Sequence, residues 1–200
     1  MRFAFAGTLA ATAALLASCA TTHQDNAGAL ALMKRDFHAK GIATMDRLDQ
    51  DEPQAKCTEY FDNLPAVDAE SLQTAQSATI KWPADGKLLG DWKAGEKIAQ
   101  SGRGMTWNDK GGVGGACYNC HQIGPAESSF GTVGPSLYQF GKRRGYGSDV
   151  QRYVYGKIYN AKAYNACSRM PRFGHAGALT EAQIKDLTAL LMDPASPVNQ

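Results

Sequence analysis

No apolar run in this 200-residue chain is long enough to cross a bilayer as a helix. The one sustained stretch, Phe3 to Leu16, falls short of the roughly 20 residues that a span needs. An excess of one charge is also missing: 21 Lys and Arg face 19 Asp and Glu. Without a concentrated basic face, a nucleic-acid partner is excluded. A structural zinc centre needs further Cys or His ligands at regular spacing, and no second such pair exists. There is no sustained alternation of apolar and polar residues, no internal repeat and no long low-complexity tract. A mostly helical fold is therefore expected.

The amino terminus reads as an export signal. Arg2 supplies the positive start, an apolar stretch follows, and Leu16-Ala17-Ser18-Cys19 closes it. That ending resembles a bacterial lipobox, which makes Cys19 the acylated first residue after cleavage and holds the protein at a membrane surface without crossing it. Ordinary cleavage after Ala20 is the alternative. Either way the destination is the periplasm. Loss of residues 1–18 removes Arg2 and no acid, leaving 20 basic against 19 acidic residues.

Residues 19–85 read as a tether followed by an amino-terminal extension, and residues 86–200 as the functional domain. Within the extension, Leu32, Phe37, Ile42, Met45 and Leu48 recur at loosely helical spacing, and Pro53 is expected to break that run. Cys57 to Phe61 suggests a turn, and Pro65 opens a helix to about Thr79. Farther on, the pattern predicts a turn at Lys81–Gly86 and a helix from Asp91 to Ser101. Gly104–Gly115 is glycine-rich and irregular. Ser148 or Asp149 is placed to cap a helix bearing Val150, Val154 and Ile158 on one face. The last helix carries a capping-box pattern at Thr180 and Gln183, a stripe of Ile184, Leu187, Leu190 and Leu191, and a stop at Pro194. Lys142-Arg143-Arg144 reads as a solvated loop, with contact to an anionic group of a bound cofactor as the lesser reading.

Cys117-Tyr118-Asn119-Cys120-His121 carries the chemistry. Two thiols three residues apart on one helical turn can form thioethers with the two vinyl groups of a haem. The adjacent His121 then reaches the iron from the side on which those bonds hold the ring. A thioredoxin-like redox pair needs a strand-helix-strand setting, whereas a glycine-rich loop precedes this motif. One motif means one covalently bound haem c. For the second iron ligand Met170 is the first candidate, since Pro171 stiffens its loop and a thioether raises the potential as an electron carrier requires. His175 is the rival, and Met33, Met45, Met105 and Met192 read as packing or loop residues. The carbonyl of Pro135 is placed to accept the outer N–H of His121. Trp107, Tyr138, Tyr146 and Phe173 line the haem or belong to the general core. Cys57 and Cys167 remain, in a compartment that favours disulfides. They are expected to pair, with two separate buried thiols as the alternative; a bridge closing about 100 residues stabilises by up to ~4.7 kcal/mol in the chain-entropy model.

Residues 91–193 resemble class I cytochromes c in their first helix, haem motif, Gly134-Pro135-Ser136-Leu137, methionine loop and final helix. A narrower likeness is carried by Asp85–Trp92, Gly131–Leu137, Tyr159-Asn160, Ser168-Arg169-Met170-Pro171-Arg172-Phe173-Gly174-His175, Leu179–Ile184 and the tail Leu191–Gln200. These stretches resemble the SoxX family, the monohaem subunits of a sulfur-oxidising complex. The resemblance implies a class I cytochrome c fold with an amino-terminal helical extension, and a His121/Met170 haem. It also implies a heterodimer with a SoxA-like haem subunit that holds the catalytic site. That complex, an L-cysteine S-thiosulfotransferase, joins thiosulfate to a cysteine of a SoxYZ-like carrier protein, and electrons leave to a soluble cytochrome c. No turnover is then expected from this chain alone. Beside it stand a free-standing, membrane-tethered carrier for a respiratory chain and, in another class, a catalytic haem protein with Met170 off the iron.

Overall fold

The computed structural model describes residues 26–103, 114–125, 127 and 129–200, and among them the backbone is helical, with only an isolated bridge between Lys40 and Ala43. The helices are α1 (Asn26–Asp36), α2 (Glu52–Glu59), α3 (Ala66–Ala78), α4 (Trp92–Gln100), α5 (Phe140–Arg144), α6 (Ser148–Tyr159) and α7 (Glu181–Met192). Short 3-10 turns lie at Met45–Leu48, Cys117–Asn119, Ala161–Ala163 and Pro197–Asn199. The expected signal, Cys19, Met105 and Trp107 lie outside the described residues. α1 belongs to a unit that ends at Ala39, and Lys40–Gln200 form a second compact unit. The expected start of the functional domain at residue 86 falls inside that second unit.

Local signals account for the helix ends. At α7, Thr180 Oγ1 accepts from the Gln183 N–H (3.3 Å), and the Gln183 side-chain oxygen accepts from the Thr180 N–H (2.9 Å), closing the expected capping box. At α4, Asp91 accepts from the Lys93 N–H at 2.9 Å. α3 runs from Ala66 after Pro65, as anticipated. The extension differs elsewhere. Leu30–Leu48 is not one helix: α1 stops at Asp36, and Leu32, Met33, Ile42 and Met45 are exposed. Pro53 starts α2 instead of breaking a helix, because a helix's first turn needs no proline N–H. Asp51 and Gln54 cap α2 reciprocally, so Cys57 to Glu59 are helical, and the turn is confined to the residues after them.

Two further expectations are corrected. The N-cap of α6 is Gly147, with no side-chain cap bond, so Ser148 and Asp149 lie inside the first turn. Lys142, Arg143 and Arg144 are exposed, as expected, but form the last turn of α5, where cations complement the negative helix end.

The core is built where α4, α6 and α7 meet. Ala99 of α4, Val154 and Tyr155 of α6, and Ile184, Leu187 and Leu190 of α7 are each no more than 3% exposed. Each large apolar side chain so buried contributes roughly 1.5–3 kcal/mol. Met192 completes α7 and is buried. α4 packs most extensively on α7, and Gly95 lets the backbones close: a Cβ there would run into the main chain of Asp186. A polar centre joins α3 to the end of α6. The fully buried Asn160 amide donates to Gln76 Oε1 and Thr79 Oγ1, both at 3.0 Å, and Asn160 Oδ1 accepts from the Lys162 N–H at 3.1 Å. Such a buried network is favourable because its members satisfy one another.

Candidate haem site

The motif cysteines lie on the 3-10 turn Cys117–Asn119, which Ala116 enters in the left-handed conformation (φ 46°). His121 N–H donates to the Cys117 carbonyl at 2.9 Å, so the histidine follows the turn closely. Cys117 and Cys120 are not bonded to each other or to another cysteine. Burial pushes the Cys117 thiol up to about 11. Dithiol catalysts need a lowered thiol pKa, so this environment opposes the redox-pair reading.

His121 Nδ1 lies 2.7 Å from the Pro135 carbonyl oxygen. A carbonyl can only accept, so Nδ1 carries the hydrogen and the neutral ring's lone pair is at Nε2. The segment that supplies Pro135 is pinned beside the motif: Gly134 N–H donates to the Cys120 carbonyl at 2.8 Å, and Leu137 N–H to the Gln122 carbonyl at 2.7 Å. Gly134 lies against the ring itself, and a Cβ there would enter the imidazole. The ring's orientation therefore comes from hydrogen bonding on one side and shape on the other.

Met170 is half-buried and packs on the core cluster that also receives Cys117, Leu137, Tyr164 and Phe173. Its N–H donates to Ser168 Oγ at 3.3 Å. The rival His175 faces the extension: its Nδ1 lies 3.3 Å from Thr79 Oγ1. Burial, reinforced by Arg172, lowers its pKa. Tyr138 donates its hydroxyl to the main-chain oxygen of Gln200, and Tyr146 lies against Gly141. Both are thereby engaged within the protein.

Cys57 and Cys167 form a disulfide. Their sulfurs and the Asp62 carboxylate lie within 4.8 Å of one another. The sulfurs are spent on their mutual bond and Asp62 pairs with Arg169, so this trio is not a metal centre. An open cleft of about 400 Å³ lies beside Tyr118 and Asn119, walled also by Gln100, Glu127, Ser129 and Phe130. It includes neither His121 nor Met170 and is separate from the ligand candidates.

Residues 93–193 match the family model described as "Cytochrome c". The chain is 37% identical over 155 residues to a protein of Aquifex aeolicus (strain VF5) named "Uncharacterized lipoprotein", covering 76% of this chain and 73% of that one. The match spans half of the chain, from α4 through α7, and the chain belongs to the cytochrome c family. Membership implies a covalently bound haem c and haem-based electron transfer. The residues present fit that group: two unpaired thiols, a histidine with its outer nitrogen already engaged, and a glycine leaving room for the ring. No described helix is long and apolar enough to cross a membrane.

Proposed function

We propose that this chain is a monohaem electron-transfer subunit of the SoxX kind, with the haem held by Cys117 and Cys120 and the iron ligated by His121 and Met170. The observation that carries the ligand assignment is the 2.7 Å contact from His121 Nδ1 to Pro135, which leaves Nε2 as the free basic nitrogen. The haem supplies one-electron oxidation and reduction when bound. The protein's own work is to hold His121 in one tautomer and to keep the thioether end of the site fixed on its 3-10 turn, beside the partly buried Leu137, Tyr164 and Phe173 that pack on the core. The hydrogen bond to Pro135 fixes the orientation of the imidazole.

The particular role rests on the stretches that resemble SoxX. On this reading a SoxA-like partner holds the catalytic haem, a SoxYZ-like carrier receives thiosulfate there, and this chain passes electrons to a soluble cytochrome c. The test is gentle purification of the tagged full chain from thiosulfate-grown native cells, with haem staining and mass spectrometry. A stoichiometric second haem protein, and thiosulfate-dependent reduction of this haem only in its presence, is the expected result. A haem-saturated monomer whose reduction needs no partner would overturn the subunit reading.

A second reading, the free-standing tethered carrier, is favoured by the relative named as a lipoprotein and by Leu16-Ala17-Ser18-Cys19. It predicts palmitate labelling that Cys19→Ser abolishes, together with a monomer. Labelling alone leaves both roles standing and establishes export with a lipid anchor; its absence removes the tether.

A further inference from the structure

The segment bearing Met170 is tied to the extension on both sides of the methionine. Three residues before it, Cys167 is bonded to Cys57 of α2. One residue before it, Arg169 pairs with Asp62, just past the end of α2. Two residues after it, Arg172 meets Asp51, the N-cap of α2, at 2.6 Å, and also donates to Gln76 Oε1 of α3 at 3.2 Å. Among the described residues, each long-range covalent or polar contact of 167–172 reaches back to residues 51–76. The remaining polar contacts of 167–172, such as Met170 N–H to Ser168 and Cys167 N–H to Asn165, are local in sequence.

The anchoring elements are themselves firm. α2 is closed by its reciprocal cap, and Cys57 is buried. Gln76 is buried and fixed by Asn160 at 3.0 Å. Just before the segment, the buried Lys162 ammonium donates to the Ala166 carbonyl at 2.8 Å, stiffening the approach to Cys167. The Asp51–Arg172 pair counts for more than an exposed pair, because the Arg172 side chain is only 14% exposed.

We propose that residues 51–76 form a clamp that holds the Met170 segment in place for iron ligation, with Cys57, Asp51 and Asp62 as positioning residues acting through Cys167, Arg172 and Arg169. The inference rests on the reading of Met170 as an iron ligand. A single anchor would leave the far end of the loop free to swing, whereas anchors on both sides make departure of the sulfur require opening of the clamp. The extension then sets how firmly the sixth position is closed, in addition to stabilising the fold.

The test uses the haem-loaded full chain in four forms: wild type, Met170→Ala, the double variant Cys57→Ser/Cys167→Ser, and Asp51→Asn. Asparagine at position 51 keeps the helix cap but removes the charge facing Arg172. Each is followed by the methionine-to-ferric-iron charge-transfer band during heating, by far-UV circular dichroism over the same range, and by carbon monoxide binding to the ferrous protein. We expect the double variant to lose the band well below its unfolding midpoint and to bind carbon monoxide about tenfold faster than wild type. That change corresponds to about 1.4 kcal/mol in the opening equilibrium. Asp51→Asn should move in the same direction by a smaller factor, and it decides the matter if the double variant does not accumulate. Band loss that merely tracks unfolding, with unchanged carbon monoxide binding, would overturn the clamp. A wild type that lacks the band and binds carbon monoxide as fast as Met170→Ala would instead overturn the ligand assignment.

Discussion

Replacing Gly134 by alanine tests the arrangement around His121 most directly. The added methyl points at three atoms of the imidazole, Cε1, Nδ1 and Nε2. Neither ring nor loop can yield freely, since Gly134 N–H is bonded to the Cys120 carbonyl at 2.8 Å and His121 Nδ1 to the Pro135 carbonyl at 2.7 Å. The backbone at 134 is not left-handed, so the cost is steric. Overpacking of this kind costs about 1–3 kcal/mol, and loss of the histidine hydrogen bond adds about 0.5–1.5 kcal/mol. At roughly 2–4 °C per kcal/mol for a protein of this size, the melting temperature of Gly134→Ala should fall by about 3–18 °C. The midpoint potential should shift as well, because the ring that ligates iron is turned. Thermal unfolding by circular dichroism, haem content per chain and a redox titration read the three effects. An unchanged melting temperature with an unchanged potential would refute the packing of Gly134 on the ring and the orientation of His121 by the Pro135 carbonyl.

Further outcomes follow from the same structure. Thr180→Ala removes half of the α7 capping box and should destabilise by about 1 kcal/mol, seen in denaturant unfolding, with no change in the visible spectrum. Burial, with Glu181 and Tyr159 adding to it, pushes the Tyr155 phenol up to about 12. An unfolded tyrosine ionises near about 10, so the unfolded chain releases its proton first and stability falls as pH rises from about 10 to about 12. Tyr155→Phe should make that decline shallower in denaturant melts across the window. It should also cost about 0.5–1.5 kcal/mol at neutral pH from the lost bond to the Lys81 carbonyl. His175→Asn should leave the charge-transfer band and carbon monoxide binding unchanged, since the ring is turned to Thr79; loss of the band would reinstate His175 as the ligand.

Much of the site could be read from the chain because its logic is local. Cys117, Cys120 and His121 lie within five consecutive positions, and that spacing defines the attachment chemistry wherever the turn is placed. The helix starts at Asp91 and Thr180 were legible for the same reason: a cap is decided within a single turn. Pro53 was misread because proline ends one helix and begins another with equal ease, and only the cap formed by Asp51 and Gln54 decides which. Gly147 displaced the expected cap of α6 because glycine gives no side-chain signal.

The amino-acid order by itself determined the covalent haem chemistry, the helical class and the ends of the helices that bear strong caps. Cys57 with Cys167 and His121 with Pro135 were anticipated and are realised in the fold, whereas tertiary structure alone decided that Asp51 and Asp62 stand opposite Arg172 and Arg169. These partners lie from 14 to 121 positions apart. No periodicity links residues at such distances; they meet because burial of the apolar faces of α4, α6 and α7 fixes the path of the chain, and the polar contacts form where that path brings them together.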